Sequence, residues 1–595
     1  MTTNEKTKEE LLNEATPIYT TADAMIDTLV DAGVDCIFAN IGSDHPAIVE
    51  SWAKADVQGR TLPKIIICPH EMVALSAAHG YAQVTGRPQA VFVHVDVGTQ
   101  NMGGAIHNAT RGRIPVFIFS GASPVTQEGE LRGGRNEFIH YLQDVPDQRA
   151  IVRQYTKWDY DVHTGKNIQK LTLRAMQIAQ SEPKGPVYMM SPREMLEEEV
   201  PRMKVDKEKF APLAPSALNE EKVKELASTL SQAKNPLIVT SYLGRNVKAV
   251  EELVKLAEQL ALPVMEAGPN YMNFPANHPM HLGYEGYFGV NEYLKQADVV
   301  LVIDSDIPWL PLNVKPKEDA KVFWIDVDPL KDKIPFWYYE AEQPMRADSY
   351  VALKQLNDYL EQVVFKQTKE ITERYGRLSK EHDRIRAEFA EKEKIKVADG
   401  YITPQFLTAT LRDLLDDDTI IMNETISNYS VVWNHILRDK PGTLFGSGAS
   451  SLGWHGGASI GAKLANPDKT VVALTGDGSY LFSVPASVHF VSKKYNAPFL
   501  TVIYNNRGWH SPKLSTLGVH PEGLAKQQDL FYVNFGDDMQ LEKIAEATGQ
   551  AYAKRVEKPE ELRNVLEEAL QAVKNGRSAV VNVAIKPISN QNLGE

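Results

Sequence analysis

Apolar and polar residues along this chain fall into a repeating order: a short β-branched or aromatic run, then a longer stretch with helical spacing, then another short run. Apolar runs of about four to eight residues predict buried strands, and their alternation with helical patterns predicts parallel α/β sheets. The order recurs three times. The first set of predicted strands is Asp35–Ala39, Lys64–Cys68, Ala90–Val95, Pro115–Ser120 and Pro186–Met190. The second is Pro236–Thr240, Leu262–Glu266, Asp298–Ile303 and Lys321–Val327. The third is Thr419–Asn423, Thr470–Thr475, Phe499–Tyr504 and Ala579–Ile585. Two seams part these sets. One is the charged, proline-bearing stretch Glu197–Asn219, and the other is the heavily charged stretch Leu360–Asp399, which predicts an exposed connecting helix. The expectation is an α/β protein of three doubly wound parallel-sheet domains, at 17–196, 218–358 and 397–590.

Composition narrows the class without naming a function. The 595 residues suit about three to six domains. With 43% hydrophobic and 24% charged residues the bulk is globular, which sets aside disorder, collagen and coiled coil. A net charge of −13 with no basic stripe argues against a nucleic-acid partner. No apolar stretch approaches the roughly 18 residues of a membrane span. Two cysteines, Cys36 and Cys68, exclude a disulfide framework and a multi-cysteine zinc site, and their apolar surroundings predict buried, reduced thiols. Neither the start, Met1-Thr2-Thr3-Asn4-Glu5-Lys6, nor the end, Asn592-Leu593-Gly594-Glu595, reads as a targeting signal, so a cytoplasmic setting is expected.

Candidate chemistry concentrates in the third domain. The run Val471–Thr475 ends at Gly476-Asp477-Gly478-Ser479, and the strand Phe499–Tyr504 ends at Asn505-Asn506-Arg507-Gly508, with 26 residues, 479–504, between. Adjacent parallel strands would bring both ends to one carboxyl edge, where α/β sheets bind ligands. A carboxylate at Asp477 with neutral oxygens from Asn506 and a loop carbonyl suits Mg²⁺ holding phosphate oxygens. Gly476 and Gly478 admit close backbone approach, and a helix starting near Ser479 aims N–H groups at an anion. A lone GDG between strand and helix is ordinarily a turn; the Asn pair ending the next strand makes it a candidate site.

This GDG-to-NN pattern resembles the thiamine diphosphate (ThDP) enzymes, and further segments extend the resemblance along the whole chain. It implies pyrimidine-binding, middle and diphosphate-binding domains in that order, with Asp477, the Asn506 side chain and the Gly508 carbonyl as metal ligands. Pro69-His70-Glu71-Met72 with Ala78-His79-Gly80-Tyr81-Ala82 looks like the family's glutamate segment, which makes Glu71 the carboxylate on pyrimidine N1′. By position alone Glu71 would be an ordinary helix-start acid. Gly98-Thr99-Gln100-Asn101 matches the Gly-x-x-Asn of acetolactate synthase-like members and adds Gly98 and Asn101 as cofactor contacts. Gly448-Ala449-Ser450-Ser451-Leu452-Gly453 looks like the loop that bends the cofactor, with Leu452 as wedge and the Ser450 carbonyl facing its amino group. Glu424-Thr425-Ile426-Ser427 looks like the diphosphate-side loop, adding Glu424 and Ser427 to Gly476, Gly478 and Ser479. Because Glu71 and Asp477 fall on different domains, the family's cofactor placement implies a homodimer at minimum, with a homotetramer common.

The resemblance also frames the reaction: a ThDP- and Mg²⁺-dependent lyase or carboligase of acetolactate synthase-like type, acting on a 2-oxo acid through an enamine. Ser43, in Asn40-Ile41-Gly42-Ser43, and His94, in Val93-His94-Val95-Asp96, fall where benzoylformate decarboxylase-like enzymes carry an active-site serine and histidine. A hydroxyl can hold a carboxylate and an imidazole can relay a proton; a turn serine and a satisfied histidine are the plain alternative. That decarboxylase, releasing an aldehyde, is the second reading. The His-His pair of pyruvate decarboxylases is absent and Pro512 replaces their glutamate, which disfavours acetaldehyde production. In the middle domain Leu282–Gly286, Ala297–Val300 and Ile325–Asp328 look acetolactate synthase-like. Yet Asp304-Ser305-Asp306-Ile307-Pro308-Trp309 stands where that family has an arginine-containing segment, so FAD stays open and is disfavoured. Trp509 and His510 are pocket candidates whose ordinary role is packing. Gly457-Ala458-Ser459-Ile460-Gly461 matches a hydrolase elbow in letters only, since no strand precedes it. His70-Glu71 is no zincin, because Ala74 stands in place of the second histidine. A third class, a non-catalytic ThDP-fold subunit, should have lost Glu71 or the metal ligands, and all are present.

Overall fold

The structure, a computed structural model, describes residues 18–284, 291–536 and 539–588. Glu285, Gly286, both chain ends and the outer limits at 17 and 590 lie outside the described residues. Among the described residues no helix is long and apolar enough to cross a membrane.

Three six-stranded sheets, every pairing parallel, carry the fold. The first contains β1 Cys36–Ala39, β2 Lys64–Ile67, β3 Gln89–Val93, β4 Val116–Ala122, β5 Trp158–Asp161 and β6 Val187–Pro192, in the order β2-β1-β3-β4-β6-β5. The second contains β7 Pro236–Thr240, β8 Val264–Glu266, β9 His281–Tyr284, β10 Val299–Ile303, β11 Lys321–Asp326 and β12 Gln343–Arg346, in the order β12-β11-β10-β7-β8-β9. A small antiparallel pair, β13 Val397–Ala398 and β14 Tyr401–Ile402, precedes the third. That sheet contains β15 Ile420–Glu424, β16 Leu444–Phe445, β17 Val471–Gly476, β18 Leu500–Asn505, β19 Tyr552–Val556 and β20 Ala579–Ala584, in the order β16-β15-β17-β18-β20-β19. Central strands such as β3, β10 and β18 are buried along their whole length, as sheets covered on both faces require.

The chain divides into two compact units. One takes the chain up to Leu213 with Gly448–Pro467 and Ser483–Ala497, and so holds the first sheet. The other takes Ala214–Ser447, Asp468–Phe482 and the chain from Pro498, and so holds the second and third sheets.

In the first unit, helix Glu71–Thr85 is buried on nearly every side, from Glu71 to Gln83. The His70 imidazole accepts the Met72 N–H at its start, and Gly86 closes it at φ +70°. Helix Trp454–Ala465 packs on it through small residues: a Cβ at Gly461 would stand 1.9 Å from the Ala77 carbonyl oxygen. Ser459 sits fully buried within that helix, so the GxSxG letters mark helix packing and not an elbow.

In the second unit the charged seam forms helix Lys369–Glu393, capped by Thr368. It is mostly exposed, as its composition predicts, but Arg374 is buried and donates to the carbonyls of Ala261, Ala233 and Leu260. Those carbonyls close neighbouring helix ends, so one guanidinium fixes the connecting helix to the middle domain.

Candidate active site

In the first unit, the segments that follow β2 and β3 bring three predicted residues together. Glu71 opens its helix with only 5% exposure, and both carboxylate oxygens are occupied. Oε1 accepts from Asn40 Nδ2 at 2.7 Å and Oε2 from Asn101 Nδ2 at 2.5 Å. Gly98 lies against the same carboxylate, where a Cβ would come 3.1 Å from Oε1. The Glu71–Gly98–Asn101 grouping is therefore a built arrangement, and Asn40, directly after β1, completes it without belonging to a recognised motif.

His94 follows β3 directly and precedes helix Val95–Asn101, so the predicted strand through Val95 ends two residues early. Val95 takes φ +33°, a costly conformation for a β-branched residue, and its N–H donates to Asp44 Oδ2 at 3.1 Å. His94 Nδ1 lies 2.5 Å from Asp44 Oδ1, and Nε2 lies 3.0 Å from Gln143 Oε1. Both ring nitrogens thus face oxygens, the arrangement of an imidazolium. Burial works against that charge, but the hydrogen bond and charge of Asp44 outweigh it and raise the His94 pKa above the ordinary value. Burial likewise opposes ionisation of Asp44, and the neighbouring His45 and His94 rings nonetheless hold its carboxyl well below the usual range. Asp44, His45 and His94 bring ligand-type atoms within 4.8 Å of one another. The Gly42 N–H points at His45 Nδ1 and the Val95 N–H at Asp44, while His45 Nε2 is buried without a partner among the described residues.

Ser43 meets a different histidine. Its hydroxyl lies 3.4 Å from Nε2 of His140, on the short helix Ile139–Leu142 after β4. The candidate wedge loop belongs to this unit too. Asn108 clamps Ser451, donating to its carbonyl at 2.7 Å and accepting its N–H at 3.1 Å, with Leu452 half-buried and Ser450 exposed beside it. Cys36 and Cys68 are buried free thiols, and burial pushes Cys36 up to about 11.

The second unit holds the GDG and NN segments on adjacent strands, Gly476 of β17 being level with Tyr504 of β18. Asp477, 2% exposed, accepts the Gly478 N–H on Oδ1 and the Gly508 N–H on Oδ2, each at 2.8 Å. Burial without a counter-charge pushes its carboxyl up to about 6, against the pull of those N–H groups. A desolvated carboxylate met only by N–H donors fits a site completed by a cation. Asn505 is used structurally, donating to Asn582 and accepting the Arg507 N–H. Among the described residues no hydrogen bond engages the Asn506 side chain, which fits a free oxygen ligand. Gly508 has φ +152°, and a Cβ there would stand 1.9 Å from the Val533 carbonyl oxygen, so only glycine turns this corner.

Glu424 ends β15 level with Thr475, buried, and Ser427 follows exposed in the turn Ile426–Asn428. Ile426 sits at φ +41°, a second β-branched residue held in a strained turn after a strand end. Ser479 is buried in the helix Asp477–Phe482. Trp509 packs over Gly478, with its ring 4.9 Å from Phe535, so packing is its observed role.

Comparisons with known proteins identify the family of the chain. Sequence profiles of thiamine pyrophosphate enzymes match at three places: the N-terminal TPP binding domain over residues 19–151, the central domain over 223–356 and the C-terminal TPP binding domain over 425–583. The chain is 25% identical over 579 residues to a probable acetolactate synthase large subunit of Methanococcus aeolicus, covering 92% of this chain and 90% of that one. It is 24% identical over 505 residues to benzoylformate decarboxylase of Pseudomonas aeruginosa, covering 82% and 86%. Among solved structures, the thiamine diphosphate-dependent 4-hydroxybenzoylformate decarboxylase of Rhodococcus jostii RHA1 shares the fold, with a TM-score of 0.75 and 21% identity over 96% of this chain and 99% of that one.

Proposed function

The chain belongs to the thiamine diphosphate-dependent enzymes, and from that premise we propose that it is a Mg²⁺-dependent lyase or carboligase acting on a 2-oxo acid, acetolactate synthase-like in type. The observation that carries this is the Glu71 carboxylate, buried and held on both oxygens by Asn40 and Asn101. Thiamine diphosphate, when bound, supplies the carbon nucleophile and the electron sink for breaking or making a C–C bond beside a carbonyl. Glu71 holds or gives a proton at pyrimidine N1′, and its two amide partners keep it in place for that exchange. Asp477, Asn506 and the Gly508 carbonyl hold the metal, while Gly476, Gly478, Ser479, Glu424 and Ser427 line the diphosphate side. Leu452 and the Ser450 carbonyl would contact the cofactor from the loop that Asn108 holds, and Gly98 and Asn101 flank Glu71. Ser43 binds the substrate carboxylate, and His94 gives or takes a proton.

The domain limits 17–196, 218–358 and 397–590 go with this reading, as do a homodimer at minimum, assembling to a homotetramer, and a cytoplasmic setting. FAD is disfavoured in the middle domain. There Lys331, buried, bridges Asp306 and Asp326 at 2.6 Å each and donates to the Tyr242 hydroxyl at 2.9 Å. Carboxylates sealed by an internal ammonium are poor partners for a dinucleotide diphosphate.

A decarboxylase releasing an aldehyde is the second reading, favoured by His94, whose contacts suit a proton donor. The test is CO₂ release from 2-oxo acids, aliphatic through aromatic, with ThDP and Mg²⁺ supplied. Release together with a hydroxyketone supports the carboligase, and release with an aldehyde supports the decarboxylase. Silence across the panel argues for a donor without a carboxylate, or for a binding-only subunit.

A further inference from the structure

A histidine absent from every motif stands behind Ser43. His140 is 4% exposed, and its Nδ1 lies 3.4 Å from the Asn136 N–H, which places an acceptor lone pair there and the ring proton on Nε2. Nε2–H then faces the Ser43 hydroxyl oxygen at 3.4 Å. A serine oxygen that accepts from one side has its own proton to give on another.

Arg193, 5% exposed at the end of β6, ties the two segments together. It donates to the carbonyls of Gly133 at 2.9 Å, Gly134 at 2.6 Å and Ser43 at 3.1 Å, and to Asn136 Oδ1 at 2.9 Å. All four partners are neutral oxygens, so the guanidinium charge meets no carboxylate among them. Burial first, and the Arg193 charge second, hold the His140 pKa below the ordinary value. The other charged groups acting on the ring are Glu137, Arg135, which is paired to Asp144, and Asp44, which is engaged by His94 and His45.

A hydroxyl with a proton to give, a neutral imidazole behind it and a buried cation beside it make a seat for an anion. We propose that His140 is a positioning residue for the substrate carboxylate, acting through Ser43, with Arg193 holding the pair in register. This rests on the 2-oxo acid reading above and deepens it. It also assigns separate duties to two histidines: His94 meets the reacting centre as a proton donor, and His140 orients the hydroxyl that grips the carboxylate.

The experiment is steady-state kinetics of the holoenzyme on the 2-oxo acid that wild type turns over best, with variants His140→Phe, His140→Gln, Ser43→Ala and the Ser43→Ala/His140→Phe pair. His140→Phe should raise KM about tenfold with a smaller change in kcat, the mark of lost substrate binding. His140→Gln, which keeps an N–H toward Ser43, should recover most of that loss. In the Ser43→Ala background His140→Phe should add nothing further to KM, because its effect passes through the hydroxyl. Additive effects of the two substitutions, a kcat loss without a KM change, or an unchanged KM in His140→Phe would each overturn the assignment while leaving the 2-oxo acid reading intact. A His140→Phe protein that fails to fold leaves the decision to His140→Gln against a donorless His140→Leu. If wild type releases CO₂ from no 2-oxo acid, that reading fails and this inference with it.

Discussion

Replacing Glu71 by glutamine is the sharpest perturbation, because the structure separates what the side chain binds from what it ionises. The carboxylate accepts two amide N–H groups, from Asn40 and Asn101. A glutamine in the same place offers one acceptor oxygen and one NH₂, so one of the two asparagines must turn its amide over or lose its partner. The cost to stability is about 1–3 kcal/mol, the penalty of one buried donor left unmet. The cost to chemistry is larger, since removing a positioned acid–base group lowers rates by about 10²–10⁴-fold. ThDP retention should change little, because the amide still hydrogen-bonds. Deuterium exchange at thiazolium C2, measured by NMR after acid quench, isolates the proton step from substrate binding. The expected result is slow exchange and slow turnover with near-normal cofactor content and a small drop in Tm. Wild-type exchange in Glu71→Gln would refute the assigned role, and loss of cofactor with normal exchange in the fraction still loaded would reduce Glu71 to a binding contact.

Asp477→Asn should weaken Mg²⁺-dependent retention of ThDP on gel filtration; retention equal to wild type would place the metal elsewhere. The Asp44–His94 pair gives a pH signature. The raised His94 pKa adds stability that is full below its free value of about 6.5 and is lost as pH rises through the folded value. The depressed Asp44 pKa adds stability that is present above about 3.9 and is lost as pH falls through the folded value. The pair therefore contributes most between about pH 3.9 and 6.5, and Asp44→Asn should flatten the stability profile there and lower the His94 titration midpoint read by NMR. An unmoved midpoint would mean that Asp44 does not govern His94. Lys331→Met leaves Asp306 and Asp326 without their ammonium and should destabilise the middle domain by about 3–5 kcal/mol in urea unfolding followed by tryptophan fluorescence, whereas a loss under 1 kcal/mol would show the cluster to be well hydrated.

Thirteen strands were legible as apolar runs, and the strands of the three sheets that escaped are of one kind. Trp158–Asp161, His281–Tyr284, Gln343–Arg346, Leu444–Phe445 and Tyr552–Val556 are all edge strands. An edge strand has one neighbour and partial cover, so it need not be apolar throughout: Gln343–Arg346 buries only Met345, and Tyr552–Val556 fully buries only Val556. The remaining edge, Lys64–Ile67, was readable because it carries three consecutive isoleucines. Strand ends were less exact than strand centres. Val95 reads as β-forming, but the Asp44 carboxylate takes its N–H and the chain turns into a helix there.

The candidate site divides along the same physical line. GDG and NN are legible because each is a contiguous run whose backbone must turn sharply at a strand end, and glycine and asparagine are the residues that permit it. Asn40 beside Glu71, and Asp44, Gln143, His140 and Arg193 around Ser43 and His94, come from separate elements, and only the sheet order makes them neighbours. A faint signal existed at Asp44, one residue beyond the serine loop, but an aspartate before a helix is ordinarily a cap. What no sequence pattern shows is that His94 and His140 are driven in opposite directions, the first by a carboxylate and the second by burial and a guanidinium. Under the proposed reading, such opposed surroundings would supply a proton donor and a neutral hydrogen-bond donor at one pH. That separation lives in the packing of β1, β3, β4 and β6. The family is therefore readable from the letters, while the contrast between the two histidines' surroundings requires the fold.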